Sequence, residues 1–128
     1  MSSAAPMTLA IVDDDDDVRN ALHRLLRALG HHVVGFPSAE AFETGAVVVD
    51  CVIVDMRLPG LSGLELRDRL RDRTRPTPVV LVTGDADRVA GDLSGATDTP
   101  LLNKPFDEAT LATAIAQAIA GSSPRNVS

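Results

Sequence analysis

Cys51-Val52-Ile53-Val54-Asp55 is a run of four apolar residues closed by a carboxylate, and it decides how the rest of the chain reads. A short apolar run without polar alternation is the pattern of a strand buried on both faces. The same shape recurs three times. Leu9-Ala10-Ile11-Val12 ends on Asp13-Asp14, Val79-Val80-Leu81-Val82 ends on Thr83, and Leu101-Leu102-Asn103 ends on Lys104. In a parallel α/β sheet, residues just past the carboxyl ends of the strands converge on one crevice, where ligands bind. Two or three carboxylates there attract a hard divalent cation, Lys104 offers a fixed positive charge, and Thr83 offers a hydroxyl. Such a set can hold phosphoryl oxygens around one carboxylate nucleophile.

The segments between these runs read as helices, so strand and helix alternate, which predicts a parallel sheet covered on both faces. Thr8 to Val12 is the first strand. Val18, Ala21, Leu22, Leu25, Leu26 and Leu29 then recur at helical spacing, with Gly30 placed to end the helix. His32 to Phe36 reads as a second strand, and Ser38 as the cap of a short helix through Thr44. The third strand is expected over Val48 to Asp55, with Asp50 near its start. Pro59, Gly60 and Gly63 mark a loop. Ser62 and Glu65 are spaced as a capping box, with Leu61 and Leu66 as its hydrophobic staple. The helix that follows runs to about Arg71, with Arg and Asp on its outer face.

Pro76 and Pro78 precede the fourth strand, Val79 to Thr83. Asp85 to Thr99 carries Gly91, Gly95 and several Asp and Thr residues, which predicts a short or mobile helix. Leu101 to Asn103 is a short fifth strand. Asp107 can cap a last helix whose inner face is Leu111, Ala114, Ile115, Ala118 and Ile119. These readings divide the chain into an N-terminal tail over 1–7, one domain over 8–120, and a tail or linker start over 121–128. There is no internal repeat.

Composition agrees with one globular domain. The chain has 128 residues, 45% of them hydrophobic, enough for a real core. Aromatics make up only 2%, so that core must be built from Val, Leu, Ile and Ala. The net charge of −6 argues against a nucleic-acid or anionic-membrane surface. Cys51 is the only cysteine and reads as a small buried hydrophobe. Met1 to Thr8 lacks the pattern of a signal peptide, and no apolar run approaches the roughly 20 residues of a membrane span, so a cytoplasmic protein is expected. His23, His31 and His32 share no metal-binding spacing and read as surface or helix-end residues. Arg67, Arg69, Arg71, Arg73 and Arg75 alternate with Asp68 and Asp72 and read as a solvated face. Asp15 to Asp17 favour the positive N-terminal end of the first helix.

Ile11-Val12-Asp13-Asp14, Val52 through Gly60, Ser62-Gly63-Leu64-Glu65-Leu66, Val82-Thr83-Gly84 and Lys104-Pro105-Phe106, taken in this order, resemble the receiver domains of bacterial two-component response regulators. The resemblance covers Leu9 to about Ala120. Ser38-Ala39-Glu40-Ala41-Phe42 and Val82-Thr83-Gly84-Asp85 look most like receivers of the FixJ type. The resemblance implies a doubly wound, flavodoxin-like (β/α)5 fold with parallel strand order 2-1-3-4-5. It implies that Asp55 accepts a phosphoryl group. Asp13, Asp14, Asp55 and the backbone carbonyl of Arg57 would then hold Mg2+, with Mn2+ as an alternative. Thr83 and Lys104 match the hydroxyl and ammonium that contact phosphoryl oxygens, and the Lys104–Pro105 bond would be cis.

Implied partners are a sensor histidine kinase or phosphotransfer protein, a downstream effector domain or protein, and a second copy in a phosphorylation-dependent homodimer. No nucleic acid or membrane would be bound by this domain, which would be a signalling module and not an enzyme. Two departures stand out. Leu101 occupies the place of an aromatic or histidine ring that takes part in switching, and Leu93-Ser94-Gly95-Ala96 is only a trace of the usual wording there. Arg57 and Asp85 match two variable positions that tune phosphoryl lifetime, and an ion pair between them would screen attacking water. Two rivals are a pseudo-receiver that binds partners without phosphorylation and a phosphohydrolase of the haloacid dehalogenase kind, whose short pattern Asp14-x-Asp16-x-Val18 fits.

Overall fold

The computed structural model describes residues 6–84 and 99–122. Strand β1 (Thr8–Val12) leads to helix α1 (Asp16–Ala28), β2 (His32–Phe36) to α2 (Ala39–Gly45), and β3 (Cys51–Asp55) to α3 (Gly63–Arg71). β4 (Val79–Thr83), β5 (Leu101–Asn103) and α4 (Glu108–Ser122) complete the described elements. The helix expected within Asp85 to Thr99, and Asp85 of the expected Arg57–Asp85 pair, lie outside the described residues. The five strands form one parallel sheet in the order β2-β1-β3-β4-β5, as expected.

Successive side chains of a strand point to opposite faces, so an unbroken apolar run feeds two cores at once. Leu9, Ile11, Cys51, Ile53, Val80 and Val82 pack with Leu22 and Leu26 of α1 and with Leu111, Ile115 and Ala118 of α4. Their neighbours Ala10, Val12, Val52, Val54, Val79 and Leu81 pack on the other side with Phe42 of α2 and with Leu66 and Leu70 of α3. Cys51 is fully buried, and burial pushes its thiol up to about 12, so it acts as the small hydrophobe expected.

Each helix begins and ends on local chemistry. The Asp15 carboxylate accepts the N–H groups of Asp17 and Val18 at the start of α1. At its other end Gly30 adopts φ +95°, and the N–H groups of Gly30 and His31 return to Arg27 and Leu26. That is the Schellman pattern, which needs a left-handed residue and so favours glycine. Ser38 caps α2. Ser62 and Glu65 form the reciprocal capping box of α3, and Leu61 packs against the cluster that contains Leu66.

Three expectations are corrected. β3 starts at Cys51, not Val48, because its partner β1 starts at Thr8 and pairs from Leu9↔Cys51 onward. Val48 has no strand beside it and is 92% exposed. Asp50 instead clamps the edge, its N–H donating to the Thr8 carbonyl and its carboxylate accepting the Thr8 N–H. Arg67 does not lie on an outer face but is buried. Finally, α4 continues through Gly121 to Ser122, two residues past Ala120. Glycine inside a helix costs only about 1 kcal/mol relative to alanine, which does not by itself end one.

Candidate functional site

The parallel register places four strand ends side by side. Asp13 and Asp14 follow β1, Asp55 closes β3, Thr83 closes β4, and Lys104 follows β5. Asp13, Asp14 and Asp55 each offer a carboxylate oxygen within 4.8 Å of the others. Lys104 Nζ lies 3.7 Å from Asp13 Oδ2 and 3.6 Å from Asp55 Oδ2, so one ammonium bridges two carboxylates. Thr83 is buried, and its carbonyl accepts the Lys104 N–H at 2.8 Å. The Lys104–Pro105 bond is cis, as expected.

Two of the three carboxylates, those of Asp13 and Asp55, are held by backbone. Asp13 Oδ1 accepts the Asp15 N–H at 2.9 Å, and Asp55 Oδ1 accepts the Arg57 N–H at 2.9 Å. Both aspartates therefore keep Oδ2 toward Lys104. Asp13 is only 1% exposed, and burial is the largest influence on its carboxyl, raising it above the ordinary 3.8. The Asp15 N–H opposes that rise, Asp55 adds to it, Lys104 opposes it and Asp14 adds to it.

A buried carboxyl raised in this way fits a cation site. Three oxygens of one hard donor type converge with one ammonium, which leaves an excess of negative charge that a divalent ion would offset. The sign of the metal-free effect follows from linkage. The folded state holds the Asp13 proton more tightly than the unfolded chain, so this group's contribution to stability falls as pH rises from 3.8 through the raised value. The deficit is complete only above that raised value. Asp13→Asn is therefore expected to raise the metal-free Tm at neutral pH, to flatten its dependence over that acidic window, and to weaken any stabilisation by Mg2+. Thermal melts at neutral and mildly acidic pH, with and without Mg2+, check all three.

Four further residues support these strand ends. Arg19, in the first turns of α1, donates from Nη1 to the Asp13 carbonyl at 2.7 Å while also pairing with Asp16. Gly35 makes room for it, since a Cβ there would meet Arg19 Cδ at 3.3 Å. Glu40, on α2, accepts the Leu61 N–H at 2.8 Å and so steadies the loop that leaves Asp55. That N–H is the main reason its carboxyl lies below the usual range. Gly63 packs directly on the Asp55 backbone, where a Cβ would collide with the Asp55 carbonyl and come within 2.8 Å of Met56 Cα. Leu101 is partly buried on β5 and packs on the α2–α3 side of the sheet, opposite Leu81 in register.

Comparison with known proteins agrees with this geometry. The family model of the response regulator receiver domain matches residues 9–116. The chain is 40% identical over 110 residues to the transcriptional regulatory protein FixJ of Azorhizobium caulinodans, covering 82% of this chain and 51% of that protein. It is 37% identical over 114 residues to the response regulator protein TmoT of Ectopseudomonas mendocina, covering 85% and 51%. Among solved structures it superposes on full-length FixJ from B. japonicum with a TM-score of 0.79 at 31% identity, covering 94% of this chain and 61% of that one. The chain thus spans about half the length of the curated relatives it matches. Among the described residues no helix is long and apolar enough to cross a membrane. With the family model spanning nearly the whole chain and the acidic strand-end pocket in its place, this protein belongs to the receiver domain family of two-component response regulators, a signalling module rather than an enzyme.

Proposed function

We propose that Asp55 accepts a phosphoryl group from the phosphohistidine of a sensor histidine kinase or phosphotransfer protein. The observation that carries this reading is the Lys104 ammonium, 3.6 Å from Asp55 Oδ2 and 3.7 Å from Asp13 Oδ2 at the mouth of the carboxylate cluster. An Asp55 oxygen attacks phosphorus, the P–N bond to the donor imidazole breaks in line, and the imidazole leaves with the electron pair. The product is an acyl phosphate. Such transfer depends on positioning and charge stabilisation more than on covalent chemistry by the protein.

The Arg57 N–H fixes the rotation of the Asp55 carboxylate. Lys104 is positioned to turn from its two carboxylates to an incoming phosphoryl oxygen, and Thr83 supplies a hydroxyl to another. Mg2+, or Mn2+, held by Asp13, Asp14, Asp55 and the Arg57 carbonyl would supply the positive charge that lets an anionic donor approach. Arg19 and Glu40 are positioning residues in this scheme, one for the β1 end and one for the loop after β3.

One relative is named as a transcriptional regulatory protein and another as a response regulator protein, and the match covers 51% of each. The proposed output is accordingly a change in affinity for an effector domain, a partner protein or a second copy of the chain. The net charge of −6 leaves nucleic-acid binding to such an effector. Leu101 gives no ring to the switch, so a phosphorylation-independent binding module is the second reading.

Incubation with acetyl phosphate, with and without Mg2+, followed by intact mass measurement, tests the proposal. A gain of one phosphoryl group that needs Mg2+ and is absent in Asp55→Asn is the expected result. No gain from either acetyl phosphate or a phosphorylated kinase would overturn it in favour of the second reading.

A further inference from the structure

Val47-Val48-Val49, between α2 and β3, shares a groove of about 480 Å3 with Arg73, Arg75 and Pro76, between α3 and β4. The groove lies at the opposite end of the sheet from Asp55, since β3 and β4 start beside it and end at the candidate site. It stays open for a local reason. Proline has no N–H to donate, so with Pro76 and Pro78 ahead of it β4 cannot be extended backward to pair with the valines. On the other side the pairing of β3 with β1 begins only at Leu9↔Cys51. The N–H groups of Val47, Val48 and Val49 consequently meet no acceptor among the described residues.

The groove combines apolar surface with unspent positive charge. Val48 is the one large apolar side chain among the described residues that stands out in solvent. Arg73 and Arg75 are exposed, and their guanidinium groups have no partner among the described residues. Asp50 is the one carboxylate lining the groove, and it accepts the Thr8 N–H at 2.8 Å. Two cations against one anion make this a basic spot on a chain whose net charge is −6. An extended backbone carries the carbonyls that unpaired N–H groups lack, and in strand addition main-chain bonds give affinity while side chains give selectivity. We propose that this groove docks an extended acidic segment of a partner protein, with an apolar side chain on Val48 and carboxylates at Arg73 and Arg75. Exposed charge pairs are individually weak, so the arginines select the sign of the segment while apolar contact and backbone pairing hold it. The inference does not rest on phosphorylation of Asp55.

Titration of 15N-labelled protein with a blocked peptide, one leucine flanked by two glutamates on either side, tests it. The amides of Val47, Val48, Val49 and Thr77 are the reporters. Saturable shifts centred on these residues are expected in wild type and in Asp55→Asn. The same peptide with lysines in place of the glutamates should bind about tenfold more weakly or worse. The acidic peptide should lose about as much with Val48→Ser, and with the double variant Arg73→Gln/Arg75→Gln. All three side chains are exposed, so the variants should keep the wild-type fold, which their spectra report. Sedimentation of the peptide-free protein checks the competing occupant. A concentration-dependent dimer that Val48→Ser abolishes would give the groove to a second copy and overturn the partner reading. Shifts that do not saturate, equal binding of the two peptides, or binding unchanged by the substitutions would also overturn it.

Discussion

Gly63→Ala is expected to lower stability by about 3 kcal/mol, the upper end of the range for overpacking. Two effects oppose each other at this position. Gly63 is the first residue of α3, where alanine would be favoured on helix propensity by up to about 1 kcal/mol. Against that, the new Cβ would collide with the Asp55 carbonyl and sit 2.8 Å from Met56 Cα. Those atoms are backbone, and the β3 end that carries them is hydrogen-bonded to β4 through Met56 N–H and the Val82 carbonyl. They cannot yield as a flexible side chain would, so the clash prevails. A fall in Tm of roughly 10 °C or more by calorimetry is the expected reading. Gly84→Ala is the control, because among the described residues a Cβ there meets nothing within 4 Å, and its stability should stay within about 1 kcal/mol of wild type. Equal melting of the two variants would contradict the packing described.

Lys104→Met is expected to slow phosphorylation by acetyl phosphate about 100-fold, as loss of one preorganised donor to a developing oxyanion does. The variant also separates two explanations. In the metal-free protein Lys104 already neutralises Asp13 and Asp55, so its ammonium competes with a divalent cation for the same oxygens. Its removal should therefore tighten Mg2+ binding measured by calorimetry while the rate collapses. A slow rate with weakened Mg2+ binding would mean that Lys104 only supports the metal site. An unchanged rate would remove it from the chemistry.

Most of the architecture was legible because the sheet is buried on both faces. The bounds of β1, β2, β4 and β5 coincide with the apolar runs that predicted them, and the capping box of Ser62 and Glu65 formed as its spacing required. Val48-Val49 misled for a physical reason: apolar character licenses a strand, but a strand also needs a partner, and β1 has none to offer before Thr8. Arg67 misled in the opposite direction. Alternating Arg and Asp is the pattern of a solvated face, and nothing in it reveals that Arg67 is buried.

The strand-end carboxylates, Thr83 and Lys104 were legible from type and position together. Arg19 and Glu40 were not, because each acts through a backbone group six and twenty-one residues away, Asp13 and Leu61 respectively, and such contacts leave no residue pattern. Gly63 could be read only as a turn residue, although what demands glycine is the carbonyl beneath it.

The central claim is that Asp55, among three clustered carboxylates, is the one that carries phosphate. Borohydride reduces an acyl phosphate to the alcohol, turning a phosphorylated aspartate into homoserine. Reduction of the acetyl phosphate-treated protein, followed by tandem mass spectrometry of its peptides, locates that residue directly. Homoserine at position 55, with Asp13 and Asp14 unchanged, is the expected result. Homoserine at position 13 or 14 would contradict the assignment of the acceptor, and homoserine at none of the three would contradict the acyl phosphate itself.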